Sequence, residues 1–126
     1  MVCLRNPFAV MARAEFFVAS SLNEGFPNAM VEAMALGCAV VATDCPSGPT
    51  EILMGATCAS SSEPMDVRYG VLTPDGSVAG LVKGIRRMTD PGVRSRYARQ
   101  ALVRAEQFGL QEIAGEYWDA FERLIR

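Results

Sequence analysis

Apolar and polar positions fall into short blocks along this chain, and the spacing within each block predicts its secondary structure. Residues 15–20 (EFFVAS) and 39–43 (AVVAT) are compact apolar runs typical of buried strands, and GVLTP at 70–74 predicts a third, short strand. Elsewhere apolar residues recur at helical spacing, or Pro and Gly mark helix ends. Gly37 is expected to end one helix as a left-handed cap, and Ser77 to cap the start of another. The helices expected on this basis cover 7–14, 27–36, 77–90, 92–108 and 110–125, with a helical turn at 49–53.

Strands that alternate with helices imply parallel strands joined by right-handed crossovers. Because the strands are uniformly apolar, we expect a sheet covered on both faces, that is, a doubly wound α/β fold with a helix-rich C-terminal end. Residues 55–69 carry small and polar residues and are expected to form an exposed excursion without a strand. Three strands are few for such a sheet, so the 126 residues are expected to be one partial domain, its back half.

Composition excludes several classes of function. The net charge is −2 and half of the residues are hydrophobic, which is ordinary for a globular protein. The late arginines alternate with apolar residues, which favours a solvated helix face over a binding patch, and no nucleic-acid partner is expected. Since the chain has no histidine, Ser-His-Asp and Cys-His mechanisms and histidine metal sites are impossible. Acid–base chemistry therefore falls to carboxylates, Lys or Tyr.

The cysteines and the absence of long apolar runs predict a location. Cys3, Cys38, Cys45 and Cys58 lack the paired spacing of a zinc site, and the first residues do not form a secretory signal. No apolar run approaches the roughly 18–20 residues that span a bilayer. We therefore expect free thiols in a reducing cytoplasm, with Cys38 in the core.

The stretch NEGFPNAMVEAM, residues 23–34, carries the candidate chemistry. Glu32 is the only charged residue between Asn28 and Leu36, and an ionised carboxylate in an apolar setting is unfavourable unless something binds it. The loops SLNEGFPN and DCPSGPTE each follow a predicted strand, where doubly wound folds bind ligands. Gly25 allows backbone to approach a ligand, and the helix that is expected to begin at Pro27 offers its amino end to a phosphate.

A sugar joined to a phosphate fits both features, with phosphate on the helix amides and hydroxyls on Glu24 and Glu32. These two carboxylates lie about 12 Å apart if the segment is helical, which suits a sugar and a ribose. Each residue also has a simpler interpretation. Glu24 is compatible with balancing the helix dipole, Glu32 with pairing to an arginine elsewhere, Phe26 with plugging the core, and Asn28 with a first-turn hydrogen bond.

The segment resembles the donor-binding signature of the family-4 retaining glycosyltransferases, in which two glutamates flank seven residues. The likeness is carried by S-x2-EGFPN-x3-EAMA-x-G-x2-VVATD-x3-GP-x-E and extends through YGVLTP to the closing helices. It implies a Rossmann-like parallel sheet that is half of a GT-B architecture, with residues 1–126 as part of the C-terminal, donor-binding domain.

By this resemblance, Glu24 lies beside the donor sugar and is the catalytic candidate, and Glu32 holds the ribose hydroxyls. The backbone from Gly25 through Phe26 and Pro27 to Asn28 lines the sugar and the diphosphate. Gly48 and Glu51 match the family's second loop, with a mainly structural role. The resemblance also implies sugar transfer from a UDP- or GDP-sugar, with retention of configuration and no metal or other cofactor, to a glycan or lipid-linked acceptor in surface polysaccharide or glycolipid synthesis.

The family's acceptor domain, its glycine-rich turn and its diphosphate-gripping Arg/Lys pair have no match in this chain. We therefore expect a fragment that is inactive alone, and an association of the full enzyme with the inner face of a membrane. Two other functions stay open: a non-catalytic module that binds a nucleotide sugar or a protein, and a related GT-B enzyme such as a nucleotide-sugar 2-epimerase. An upstream acceptor domain would favour the transferase.

Overall fold

The structure is a computed structural model that describes residues 6–55 and 61–109, together with 115, 119, 122 and 123. The helix expected at 110–125 lies mostly outside the described residues. The elements in chain order are α1 (Pro7–Met11), β1 (Phe16–Ala19), α2 (Asn28–Ala35), β2 (Ala39–Thr43), α3 (Pro49–Met54), β3 (Met65–Val67), β4 (Gly70–Thr73), α4 (Val78–Arg87) and α5 (Pro91–Glu106).

The four strands form one mixed sheet in the order β1-β2-β4-β3. β1 pairs with β2 in parallel, with Phe16 opposite Ala39, and β2 pairs with β4 in parallel, with Val41 opposite Val71. The predicted parallel arrangement of the three strands is therefore confirmed. Helices α2 and α3 supply residues to the core on one face, and α4 packs on β2 and β4.

β3 was not predicted, because the segment 55–69 was expected to form an exposed excursion. Its three residues pair antiparallel with β4, with Met65 opposite Leu72. Only Met65 and Val67 offer apolar side chains, and the Asp66 between them is exposed. So short a strand at a sheet edge is stabilised by pairing with β4 and carries almost no periodic signal of its own.

Two further expectations need correction. β1 was predicted to be a buried strand, but it lies at the edge of the described sheet, and Val18 is 36% exposed. α2 begins at Asn28, with Pro27 as the residue before its first turn. By contrast, the left-handed Gly37 that ends this helix is confirmed, with φ of +78°.

The core divides between the two faces of the sheet, because successive side chains of β2 point in opposite directions. On one face Val40 and Ala42 pack in a cluster with Met30 and Met34 of α2 and with α3. On the other face Ala39 and Val41 share a cluster with Met88 and Tyr97, which follow the sheet in sequence. α5 contributes Ala101 to the first cluster and Tyr97 to the second. Both faces of β2 are thus buried, as a uniformly apolar strand requires.

Candidate functional site

The two predicted ligand loops lie together at the carboxyl ends of β1 and β2, because these strands are parallel neighbours. After β1, Ser21 donates a hydrogen bond from Oγ to Glu24 Oε1 at 2.5 Å. At the end of β2, Thr43 Oγ1 donates to the backbone oxygen of Ser21. The loop that carries Glu24 is therefore fixed to the next strand by hydroxyl groups, and Glu24 itself is half-buried.

The second loop supports the first through Ser47 and Gly48. Ser47 has φ of +59°, in the left-handed region that non-glycine residues rarely adopt, and its Oγ donates to the backbone oxygen of Glu24 at 2.6 Å. Gly48 follows with φ of +89°, and a Cβ at this position would lie 2.8 Å from Cδ of Pro27 and 3.2 Å from the backbone oxygen of Gly25. Only glycine therefore fits where the two loops touch.

The structural role expected for Glu51 is supported by a hydrogen bond at the start of α3. The backbone N–H of Gly48 donates to Glu51 Oε2 at 3.3 Å, and the backbone N–H of Ile52 donates to the Gly48 oxygen at 3.0 Å. Thr50 donates from its hydroxyl to Asp44 Oδ1. The side chains of Glu51 and Asp44 thus hold the second loop in shape.

The amino end of α2 carries no side-chain cap, because the residue before its first turn is Pro27. Met30 and Val31 donate their backbone N–H groups to the Pro27 oxygen at 3.0 and 3.2 Å, and Asn28 donates to the Phe26 oxygen at 2.9 Å. The helix dipole is therefore not balanced by a carboxylate accepting at the first turn, and the end of the helix favours an anion.

A cavity of about 350 Å³ opens beside this helix end. Its wall is formed by residues of β1, by Ser20, Ser21 and Glu24 of the following loop, and by the first turn of α2. From the predicted site, the cavity is lined by Glu24, Pro27 and Asn28. A carboxylate and a helix amino end thus face one concave space, whose volume is within the range of small-molecule sites.

Glu32 does not occupy the apolar setting that its sequence neighbours suggested. Its side chain is exposed, because the apolar residues around it, Met30, Ala33 and Met34, turn toward the core. The spacing of about 12 Å assumed one continuous helix, and this condition is not met, because Glu24 lies in the loop before α2. Glu32 follows Asn28 by four residues on the same exposed side of α2, but it is not among the residues that line the cavity.

Gly25 and Phe26 lie at the rim of the site. A Cβ added at Gly25 would meet no atom within 4 Å, so the backbone there borders open space. Phe26 is 46% exposed, and its ring meets Phe108 edge to face at 5.7 Å between centroids. The alternative in which Phe26 plugs the core does not fit a side chain of this exposure.

The negative charges around the site act on Cys45, which is buried within the second loop. Burial raises the pKa of the Cys45 thiol, and the negative charges of Asp75 and Glu24 raise it further. Cys45 and the buried Cys38 are both free thiols, and Cys38 donates from Sγ to the backbone oxygen of Met11 at 3.0 Å. These properties favour the neutral, unreactive form of Cys45 at neutral pH.

Sequence reasoning gave no role to Ser21, Thr43 and Ser47, whose hydroxyls hold the loops, although Ser21 and Thr43 stand in the family pattern. The available signal was their position at the carboxyl ends of strands, which sequence alone does not distinguish from ordinary loop polarity. In residues 6–55, 61–109 and the few described beyond them, no group of three or more Cys, Asp or Glu converges to hold a metal ion. The described helices are all too short or too polar to cross a membrane.

Comparison with known proteins finds a family match that includes both loops of the candidate site. The family described as glycosyl transferases group 1 matches residues 2–90. The chain is 36% identical over 110 residues to the N-acetylgalactosamine-N,N'-diacetylbacillosaminyl-diphospho-undecaprenol 4-alpha-N-acetylgalactosaminyltransferase of Campylobacter jejuni, covering 86% of this chain and 27% of the relative. It is 33% identical over 134 residues to an uncharacterized glycosyltransferase of Methanocaldococcus jannaschii, covering 90% and 32%. The chain thus spans about a quarter to a third of these curated relatives.

Two solved structures share the fold. Sucrose-phosphate synthase from Thermosynechococcus elongatus superposes with a TM-score of 0.70 at 23% identity, covering 92% of this chain and 27% of the other. TarM superposes with a TM-score of 0.73 at 19% identity, covering 94% and 22%. At such identities the likeness speaks for the fold alone, and it confirms the expected Rossmann-like α/β fold found in GT-B enzymes.

Proposed function

The chain belongs to the glycosyl transferases group 1 family, and from that premise we propose that it is the donor-binding part of a retaining glycosyltransferase. The enzyme transfers a sugar from a nucleotide sugar, a UDP- or GDP-sugar, and the 126 residues form part of its C-terminal domain. One observation carries this proposal: the half-buried carboxylate of Glu24 and the uncapped amino end of α2 face the same cavity.

The chemistry of a sugar diphosphate matches the two parts of the cavity. The diphosphate binds at the amino end of α2, where the helix dipole favours negative charge. Glu24 accepts hydrogen bonds from the hydroxyls of the sugar. A carboxylate has about four acceptor positions, so its bond from Ser21 leaves room for these donors. The Ser21 bond also fixes the direction in which the carboxylate points.

Glu24 is the proposed catalytic residue because it lies nearest to the transferred sugar in this arrangement. Its charge stabilises the positive charge that develops on the sugar ring as the bond to the diphosphate breaks. Ser21 and Ser47 position it, the first through the carboxylate and the second through the backbone. No metal is required in this scheme, since the helix dipole acts on the leaving group.

Glu32 is proposed to accept hydrogen bonds from the two ribose hydroxyls of the nucleotide. The proposal rests on its position, one helical turn beyond Asn28 on the exposed face of α2, and no longer on an apolar setting. The sugar end of the donor then lies at Glu24 and the nucleoside end extends along the helix. Gly25 and Phe26 line the rim between the loop and solvent.

The acceptor is proposed to be a glycan or a lipid-linked glycan. The name of the Campylobacter jejuni relative specifies transfer to a diphospho-undecaprenol glycan, which supports an acceptor of this kind and a role in surface polysaccharide or glycolipid synthesis. Such an acceptor would bring the full enzyme to the inner face of a membrane.

Nucleotide binding by this chain is testable by nuclear magnetic resonance, since its mass is 13.6 kDa. Titration with UDP and with GDP should shift amide signals from Glu24 through Glu32, with weak affinity because parts of the family's diphosphate site have no match here. Glu32→Gln should weaken the binding about tenfold, the lower range for a hydrogen bond to a charged group, since Glu32 is exposed. Glu106→Gln, an exposed substitution on α5, should leave it unchanged.

The catalytic role of Glu24 requires an enzyme in which this chain is joined to an acceptor domain. There, Glu24→Gln should lower the rate of sugar transfer while the affinity for the nucleoside diphosphate is nearly kept. Sugar transfer by the 126-residue chain alone should be undetectable. The proposal fails if both Glu24→Gln and Glu32→Gln bind the diphosphate and transfer sugar as the parent does. Binding without any transfer in the joined enzyme would indicate a non-catalytic binding module instead.

A further inference from the structure

A second concave surface lies at the opposite edge of the sheet from the candidate donor site. It is a groove of about 320 Å³ formed by Arg68 and Tyr69 of the turn between β3 and β4, and by one face of α5. The helix contributes Arg96, Arg99, Gln100 and Val103, whose spacing places them on one side of α5. We call this surface the arginine groove.

Position separates the arginine groove from the donor cavity. Tyr69 directly precedes β4, so it lies at the amino ends of the parallel strands. Glu24 follows β1 and lies at the carboxyl ends. The two sites share no lining residue.

Three guanidinium groups line this groove, and none of them forms an ion pair with an acidic residue of the described part of the chain. The ion pairs found within the described residues are formed by Lys83, Arg87 and Arg94, and none of them involves Arg68, Arg96 or Arg99. Three positive charges around one concave space repel one another unless an anion lies between them. Such a cluster is therefore suited to a negatively charged ligand.

Aromatic rings hold two of the guanidiniums in place. Arg68 lies over the ring of Tyr69, with 5.1 Å from Cζ to the centroid, and Arg96 lies over the ring of Tyr97, with 4.7 Å from Cζ to the centroid. Stacking uses the face of a guanidinium and leaves N–H groups at its edge as donors. Arg104 shows the contrast, because it donates to the backbone oxygens of Ile52 and Glu51 and serves the fold.

The side chain of Gln100 adds a buried hydrogen-bond acceptor to the groove. Its Oε1 is buried and has no hydrogen-bond donor within the part of the chain that the structure describes. A buried acceptor without a donor is unfavourable, and a hydroxyl group of a ligand would satisfy it. The groove therefore combines donors for an anion with an acceptor for a hydroxyl, in a volume fit for a small polar group.

We propose that the arginine groove binds the phosphate of a hydroxyl-bearing phosphate ester. The fork of an arginine matches two phosphate oxygens, and the chain supplies arginine at all three positions, although a lysine at each of them would carry the same charge. Two sources carry this group: a soluble polyol phosphate and the glycerol-phosphate headgroup of a phospholipid. The sequence alone favoured a solvated helix face, because Arg68 joins Arg96 and Arg99 only when β3 and β4 pair.

The soluble source is tested by titrating the chain with sn-glycerol 3-phosphate at low salt, followed by amide shifts. The lipid source is tested by sedimentation with phosphatidylcholine vesicles that contain about one third phosphatidylglycerol, against pure phosphatidylcholine. Arg99→Gln and Arg68→Gln should each weaken the binding about tenfold, the effect of one charge-assisted hydrogen bond. Arg86→Gln, which removes the same charge from the exposed end of α4, should change it less than about twofold.

The glycerol 3-phosphate titration and the vesicle sedimentation together identify whether the phosphate ester is soluble or part of a lipid. Groove-dependent binding of glycerol 3-phosphate without vesicle binding assigns a soluble ligand, and vesicle binding that glycerol 3-phosphate does not displace assigns the lipid. Two results overturn the proposal: no binding in either arm, or an equal loss in Arg86→Gln, which indicates diffuse attraction. Because Arg99 is exposed, its variant should keep the circular dichroism and melting temperature of the parent, so it decides the test even if Arg68→Gln does not fold.

Discussion

Replacing Gly48 by alanine tests how the two loops of the donor site are joined. An added Cβ would lie 2.8 Å from Cδ of Pro27 and 3.2 Å from the oxygen of Gly25, and the backbone has φ of +89°. With ψ of −76°, this backbone lies outside the left-handed helical region, and holding an alanine in so sparsely populated a conformation costs about 1–3 kcal/mol. Crowding against a buried proline and a backbone oxygen adds about 1–3 kcal/mol. Since part of the strain is shared when the loops move apart, we expect a loss of about 2–4 kcal/mol in the free energy of unfolding.

Urea unfolding followed by circular dichroism measures this loss, provided the slope of the transition stays that of the parent. The matched control is Gly25→Ala, because Gly25 has open space around its Cβ position and its φ lies outside the left-handed region. It should change the unfolding free energy by less than about 1 kcal/mol. The signal shifts with UDP or GDP should be smaller in both variants, in Gly48→Ala because the loops separate and in Gly25→Ala because the added methyl enters the ligand space.

The reasoning is refuted if Gly48→Ala unfolds at the same urea concentration as the parent. It is also refuted if Gly25→Ala loses as much stability as Gly48→Ala, because open space at Gly25 would then not exist in solution. A Gly25→Ala variant that keeps both stability and nucleotide binding would leave the loop contact intact and show that the ligand does not approach Gly25.

Two further predictions concern the other face of the sheet. Gly84→Ala should lower the unfolding free energy by about 1–2 kcal/mol, because its Cβ would lie 2.5 Å from Cγ2 of Thr73 and this crowding exceeds the helix propensity gained. The control, Val82→Ala on the exposed side of α4, should cost less than about 1 kcal/mol. Equal losses in the two variants would contradict the close packing of Gly84 against Thr73. Burial, followed by the Asp66 carboxylate, raises the pKa of Tyr97 above its ordinary 10.0. Because the pKa of Tyr97 is raised in the folded state, it contributes stability that is present below pH 10 and lost as the pH rises further. Urea unfolding between pH 8 and 11 should therefore show a steeper decline of the unfolding free energy for the parent than for Tyr97→Phe. Parallel declines in the two proteins would refute this prediction.

The sequence by itself determined the elements whose signals are local. Ala39–Thr43 is apolar at every position but the last, so it had to be a strand buried on both faces, and the structure buries all five residues. Ser77 accepts from the N–H of Gly80 as a cap should, and Gly37 ends α2 in the left-handed conformation. A hydroxyl before a helix and a glycine after one act within a few residues, which is why sequence predicts them.

The exposure of Glu32 was decided by the tertiary structure. Its sequence neighbours are apolar, but α2 packs through Met30, Ala33 and Met34 and turns Glu32 outward. Which side of a helix is buried depends on the sheet beneath it, and a short run in which nearly every residue is apolar does not specify that side.

Contacts between distant segments were likewise decided only by the fold. Ser47 reaches the backbone of Glu24 across 23 residues, and Arg68 meets Arg99 across the arginine groove. Neither pair produces a local sequence pattern. The pairing of β1 with β2 brings the first two residues together, and the pairing of β3 with β4 places Arg68 at the groove. The sequence specified which residues carry the chemistry of the donor loop, whereas strand pairing decided what holds that loop in place and where a second cluster of charge arises.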